Sequence, residues 1–304
     1  MRKIISRLLF FCILLSVNFV CSQNLNTNNW KINFEKGQQL YEAGKYAEAL
    51  KSLNDAYSVS KTIFQKNEEE YGDTVSLLGD THKELKNREL AIFFYSEKLE
   101  YLRLNNRSNE LQYAQLLKDI GILYRYKGDF KKSLENLNKS LEIVELIEGT
   151  NSIEYSRLLL TISIVYKKAG EYDNAFAYNK QSNKLREDLF GKKSIEYLQS
   201  LTSLSQIYIE VGEYKKASII LENVLPQLKR MDPTGKYLQA IFTQSFLLHY
   251  KYEYDKEILL LNEFKTISEI GKDEYTSANS NLAVAYEELG DYENALKIAL
   301  EVVD

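Results

Sequence analysis

The sequence predicts an all-helical protein built from repeated pairs of helices, and three observations support this prediction. A phrase with a glycine, an aromatic residue two positions later and a small residue three positions after that recurs along the chain, as in Gly170, Tyr172 and Ala175. The phrase returns at a period near 42 residues. Only two prolines occur in 304 residues, so long helices can run without enforced breaks.

Two residue classes give the register of the repeat independently. The small residue of the phrase returns at four steps of 42 residues and then at steps of 40 and 38, and a set of tyrosines shortens its spacing in the same way. Because the two classes shift together, the pattern indicates seven structural units. The first class occupies Ala49, Ala91, Ser133, Ala175, Ala217, Glu257 and Ala295, and the second Tyr71, Tyr113, Tyr155, Tyr197, Tyr237 and Tyr275.

Each unit is predicted to contain two helices, named here helix A and helix B. Apolar residues at helical spacing, such as Leu158, Ile162 and Val165, precede the glycine and predict helix A. The glycine ends that helix in a left-handed backbone conformation. An acidic residue then suits the positive end of helix B, which in the fourth unit is expected from about Glu171 to about Phe190.

These residues resemble the tetratricopeptide-repeat family. The family pattern has a glycine or small residue at its eighth position, a tyrosine at the eleventh and an alanine at the twentieth, and Gly121, Tyr124 and Ser133 occupy these positions here. The period of 42 residues in place of 34 is similar to that of kinesin light chain repeats. The resemblance implies a right-handed α-solenoid of about seven antiparallel helix pairs within residues 23–304. The expected units lie near 28–70, 71–112, 113–154, 155–196, 197–236, 237–274 and 275–304.

The chain departs from the family pattern in two places. Lys86 and Tyr252 stand where the other turns have glycine, so the glycine pattern does not predict the conformation of these two turns. By the same register, helix B of the last unit should continue beyond Asp304, and no polar capping helix follows it. The sequence is therefore expected to be part of a longer protein.

Residues 1–22 are predicted to be a signal peptide. A basic start precedes an apolar stretch from Leu8 to Val20, which is shorter than the roughly 20 residues of a membrane span. Lipidation at Cys21 and an uncleaved anchor are the alternatives. Removal of this segment takes away both cysteines and three of the 39 basic residues, against 43 acidic residues, so the net charge moves from −4 to −7. An acidic protein of this kind is not expected to bind nucleic acid.

Enzyme motifs are nearly absent from the rest of the chain. It has two histidines and no glycine-rich phosphate loop, and no cluster with metal-ligand spacing is seen. His82 takes the place of a helix-A tyrosine and is expected to be a packed residue. We therefore expect no catalytic, cofactor or metal site.

The resemblance implies that function resides on the concave face formed by the A helices. In units three and four this face carries several basic side chains and the single acid Asp119, which favours an acidic peptide as partner. The alternative is that these long side chains only solvate a helix surface. Ile122 and Ile164 occupy the positions where chaperone-binding members of the family need asparagine, so recognition of chaperone tails is not expected. The candidate groove residues are Gln115, Lys118, Arg125, Tyr126, Arg157, Lys167, Lys168 and His249.

These features predict a non-enzymatic scaffold that binds a protein or peptide, exported to the periplasm or secreted. The composition, rich in lysine, asparagine, isoleucine and tyrosine, is typical of low-GC Bacteroidota. Two alternatives stay open. The chain could be the sensory region of a larger signalling protein, such as a histidine kinase or transcriptional regulator, or the repeat region of a CHAT-type protease. Contact with a membrane is expected only through a downstream segment.

Overall fold

The computed structural model describes residues 26–268 and 273–301. Every regular element in these ranges is a helix, which confirms the predicted fold class. The chain forms two compact parts, divided between Ile143 and Val144. They are called unit 1 and unit 2 below, and each contains several of the seven repeats. The predicted signal peptide lies outside the described residues.

Unit 1 begins with helix α1, which covers residues 26–42. Odd-numbered helices are A helices and even-numbered helices are B helices, as the repeat predicts. Consecutive helices pack against each other in the pairs α2–α3, α3–α4 and α4–α5. The further helices of this unit are α2 (Tyr46–Ile63), α3 (Glu69–Glu84), α4 (Arg88–Leu104), α5 (Leu111–Tyr126) and α6 (Phe130–Glu148), the last of which ends in unit 2.

Unit 2 continues the alternation. The A helices α7, α9 and α11 lie side by side, because α9 contacts both α7 and α11. Helix α8 matches the predicted bounds of helix B in the fourth unit. The helices are α7 (Ile153–Lys168), α8 (Tyr172–Phe190), α9 (Ile195–Glu210), α10 (Tyr214–Met231), α11 (Lys236–Tyr250), α12 (Tyr254–Ile267), α13 (Asp273–Glu288) and α14 (Tyr292–Leu300).

The turn between helices A and B has the predicted left-handed residue. Gly170 has φ +78°, its N–H donates to the carbonyl of Lys167, and the next N–H donates to the carbonyl of Tyr166. This pair of bonds is the Schellman arrangement that ends a helix. Lys86 (φ 58°) and Tyr252 (φ 59°) adopt the same conformation. The two turns that lack glycine therefore keep the geometry of the turns that have it.

Small residues allow the two helices of a pair to cross closely. Ala175 is fully buried, and its carbonyl accepts a hydrogen bond of 2.8 Å from the hydroxyl of Ser163 on the preceding helix. A Cβ built on Gly79 would lie 2.5 Å from the Cδ1 atom of Tyr95. A larger side chain at these crossings would force its packed neighbours to move.

A tyrosine, a glutamate and a lysine tie successive helices together at two places. The hydroxyl of Tyr71 donates to Glu97, and the Nζ of Lys66 lies 2.7 Å from the same carboxylate. The tyrosine belongs to a helix A and the glutamate to the helix B that follows. The same Lys–Tyr–Glu tie occurs in unit 2, in Lys229, Tyr237 and Glu263. In the last repeat of that unit, Lys265 pairs with Glu301 at 3.0 Å and lies over the ring of Tyr275.

The interior position of His82 is confirmed. Its side chain is buried, and its ring stacks on Phe94 with centroids 5.4 Å apart. Burial lowers the pKa of His82 below its ordinary value, so the packed ring is neutral near pH 7.

Candidate peptide-binding surface

The candidate residues of unit 1 lie on α5. The Nε2 of Gln115 donates to both carboxylate oxygens of Asp119 at 3.1 Å. Burial raises the pKa of Asp119, and the Gln115 bond and the charges of Lys83 and Lys118 oppose that rise. The acid among the basic side chains is therefore already engaged within its own helix and by neighbouring lysines.

Arg125 and Tyr126 contact each other at the end of α5. The guanidinium carbon of Arg125 lies 4.7 Å from the ring centroid of Tyr126, and that of Arg88 lies 5.5 Å from the same ring. Tyr126 is 61% exposed. Two cations beside one exposed ring form a positive, partly apolar surface. The sequence reasoning missed Arg88 because it considered only A-helix positions, whereas Arg88 begins the helix B of the preceding pair.

The three basic candidates on α7 have different surroundings. Arg157 pairs with Glu154 at 3.3 Å, and Lys168 is exposed at the end of the helix. These two residues are eleven positions apart, or about 16 Å along the helix axis. Lys167 is buried, and its Nζ donates to the Oε1 of Gln206 at 2.6 Å. Lys168 is thus the most accessible cation of the three.

A chain of hydrogen bonds crosses three A helices of unit 2. Lys167 on α7 donates to Gln206 on α9, whose Nε2 donates to the Oγ1 of Thr243 on α11 at 2.9 Å. The Thr243 hydroxyl in turn donates to the carbonyl of Gln239. Gln206 is one repeat of 42 residues after Ile164, so the same register could have identified it as a residue of this face.

His249 is half-buried and bonded within its own helix pair. Its Nδ1 lies 3.1 Å from the Oε2 of Glu257 on α12, and its ring meets that of Tyr254 with centroids 5.4 Å apart. Burial raises the pKa of Glu257, and the neighbouring imidazole opposes this rise. The imidazole is directed toward α12, and its role in binding stays a prediction.

In the part of the chain that the structure describes, no group of three or more histidine, cysteine or acidic residues could hold a metal ion. No helix among the same residues is long and apolar enough to cross a membrane.

Comparison with known proteins supports the repeat assignment. Tetratricopeptide-repeat family models match residues 112–188 and 276–304. No curated protein matches the chain in sequence. The nearly identical repeats of a putative kinesin light chain from Podosopora anserina match with a TM-score of 0.58 at 13% identity, over 67% of this chain and 96% of that one.

Two further solved structures have a similar fold. The apo form of the quorum sensor NprR from B. thuringiensis matches with a TM-score of 0.66 at 17% identity, over 92% of this chain and 76% of that one. A Rap protein complexed with competence and sporulation factor matches with a TM-score of 0.54 at 14% identity, over 90% and 74%. The chain contains tetratricopeptide repeats, and its fold is similar to that of kinesin light chain repeats.

Proposed function

We propose that this protein is a non-enzymatic scaffold that binds a protein or peptide on the face formed by its A helices. The observation that carries the proposal is the row of polar side chains across α7, α9 and α11, where Lys167, Gln206 and Thr243 form one hydrogen-bonded chain. Lys167 and Thr243 are buried and hold the half-buried Gln206 between them on rigid helices, and polar groups held in place on rigid elements are what a binding site requires. The similar fold of a Rap protein in complex with competence and sporulation factor supports this use of the helical array.

The proposed partner is an acidic segment. In unit 1, Arg125 lies beside the exposed ring of Tyr126, and in unit 2, Lys168 is exposed at the end of α7. Carboxylates bind guanidinium and ammonium groups through charge-assisted hydrogen bonds. The attraction is screened over about 8 Å at physiological salt, so the affinity should fall as salt is added.

The proposed location is the cell envelope or exterior of a Gram-negative bacterium. The basic and apolar pattern of residues 1–22 supports export. A sensory role within a larger signalling protein is the second candidate, and the fold of the quorum sensor NprR favours it.

Charge reversal tests the acidic partner. The double variant R125E/K168E should bind a fluorescein-labelled peptide of alternating glutamate and serine at least about 10-fold more weakly than the wild type, a loss of about 1.4 kcal/mol. The matched control K51E/K180E reverses one exposed lysine on a helix B of each unit and should bind normally. Equal binding by R125E/K168E and the wild type would show that neither of these two cations binds an acidic segment.

A further inference from the structure

Tyr252 holds a strained backbone position that the packing of its own side chain does not explain. It stands at the turn residue where Gly170 and four other glycines are found, with φ 59°. In this region the Cβ of an ordinary residue crowds the neighbouring carbonyl, so a bulky side chain is an outlier. The ring of Tyr252 is 80% exposed and thus contributes little to the core. Backbone strain of this kind concentrates at functional sites.

The Tyr252 ring belongs to a group of aromatic side chains on the surface of unit 2. It lies perpendicular to the ring of Tyr254, with centroids 6.2 Å apart, and the Tyr254 hydroxyl is 3.3 Å from the Oε2 of Glu288. Tyr250, 48% exposed, stacks on Tyr214 at 5.9 Å. We name Tyr250, Tyr252, Tyr254 and Glu288 the tyrosine edge.

The charges around the tyrosine edge favour a cation. Lys251 and Lys256 both pair with Glu253 at 2.6 Å, so these positive charges are already neutralised. Glu287 and Glu288 are exposed, and neither has a basic side chain within ion-pair distance among residues 26–268 and 273–301. Helices α11 and α13 both end near this edge, and the carbonyl ends of helices carry partial negative charge.

We propose that the tyrosine edge is a docking surface for a basic segment of a partner protein. A lysine or arginine side chain of that segment lies against the Tyr252 and Tyr254 rings and pairs with the carboxylate of Glu288. The faces of aromatic rings attract cations, and the nearby carboxylate adds a charge-assisted bond. The strained turn projects the Tyr252 ring into solvent, where an incoming side chain can reach it. This surface and its partner chemistry differ from those of the basic A-helix residues.

The test replaces the strained tyrosine with the residue that the other turns use. A fluorescein-labelled peptide of alternating arginine and serine is titrated at physiological salt into the wild type, Y252G, Y252N and E288Q. Asparagine tolerates the left-handed region better than other residues with a side chain, so Y252N removes the ring with little change to the turn. The affinity should fall about 10-fold in Y252G and Y252N and by a smaller factor in E288Q.

The variant K86G is the matched control because it also places glycine at a left-handed turn between helices A and B that lacks one, in unit 1. It should bind the arginine peptide as the wild type does. Equal affinity of the wild type, Y252G and Y252N would overturn the proposal, and so would failure of the wild type to bind. Concentration-dependent self-association that is lost in Y252G would assign the edge to a second copy of the chain and reject the basic segment. Because the acidic peptide is bound elsewhere, Y252G should leave its affinity unchanged.

Discussion

The Nδ1 atom of His249 lies 3.1 Å from the Oε2 atom of Glu257, and this pair fills a helix crossing that other units fill with alanine or serine. Glu257 is 2% exposed. The equivalent residue in the fourth unit, Ala175, carries no charge. The sixth repeat therefore holds a buried carboxylate in contact with an imidazole where the other repeats hold a small side chain.

This pair predicts a pH-dependent stability difference. Burial raises the pKa of Glu257, so the folded state favours the protonated acid. Its contribution is fully present below the ordinary pKa of 4.5 and is lost as the pH rises through the raised pKa. The variant E257Q should therefore be more stable than the wild type at pH 7, by about 1 kcal/mol, and this gain should shrink toward pH 4. Thermal unfolding of both proteins across this range measures it, and a gain that grows toward pH 4 would contradict the assignment.

The close helix crossings predict that larger side chains destabilise the fold. Ala175 and Ala217 are both fully buried, so A175L or A217L should lower the free energy of unfolding by about 1–3 kcal/mol. The control is A177L, which makes the same change at an exposed position of α8 and should have little effect. Chemical denaturation measures all three, and equal midpoints for A175L and A177L would show that the crossing is not tight.

The left-handed turns predict a cost for a side chain at Gly170. A Cβ there meets no other atom within 4 Å, so the cost comes from the backbone conformation alone. G170A should lose about 1–2 kcal/mol of stability. The exposed neighbour Lys168 provides the control K168A, which keeps the turn. Unchanged thermal stability of G170A would mean that this residue is not left-handed in solution.

A buried amide predicts a stabilising substitution. Asn179 on α8 is fully buried, and neither of its amide atoms has a hydrogen-bond partner among the described residues. Leu137 and Leu221 occupy the same position one repeat earlier and later and are fully buried. Because an unsatisfied buried polar group costs about 1–3 kcal/mol, N179L should raise the free energy of unfolding by a similar amount. A lower stability would indicate that water or another group satisfies the amide.

The repeat register predicted the backbone of this protein better than its surface. The bounds of α8 and the conformation of Gly170 followed from residue spacing, because helix length and turn geometry repeat from unit to unit. Tyr252 adopts the same turn despite its side chain, since the helices on both sides hold it there. At Tyr252 the geometry of the repeat therefore prevailed over the conformational preference of the residue.

The contacts between side chains could not be predicted in the same way. Lys167 looked like a free groove cation, yet its Nζ donates to Gln206, which is distant in sequence. Arg88 joins Tyr126 from a helix B that the pattern did not consider. Such contacts depend on rotamers and on neighbours from other helices, and neither repeats with the period of the sequence.

The Lys–Tyr–Glu tie shows where the chain tolerates changes of length. The tyrosine and the glutamate are 26 residues apart in both ties, and Tyr275 and Glu301 have the same spacing, whereas the lysine precedes the tyrosine by 5, 8 or 10 residues. The hairpin from helix A to helix B therefore has a fixed length, and the shortening of the repeat from 42 to 38 residues falls between helix B and the next helix A. An engineered insertion or a peptide tag should therefore be placed between helix B and the next helix A, where the number of residues already differs from repeat to repeat.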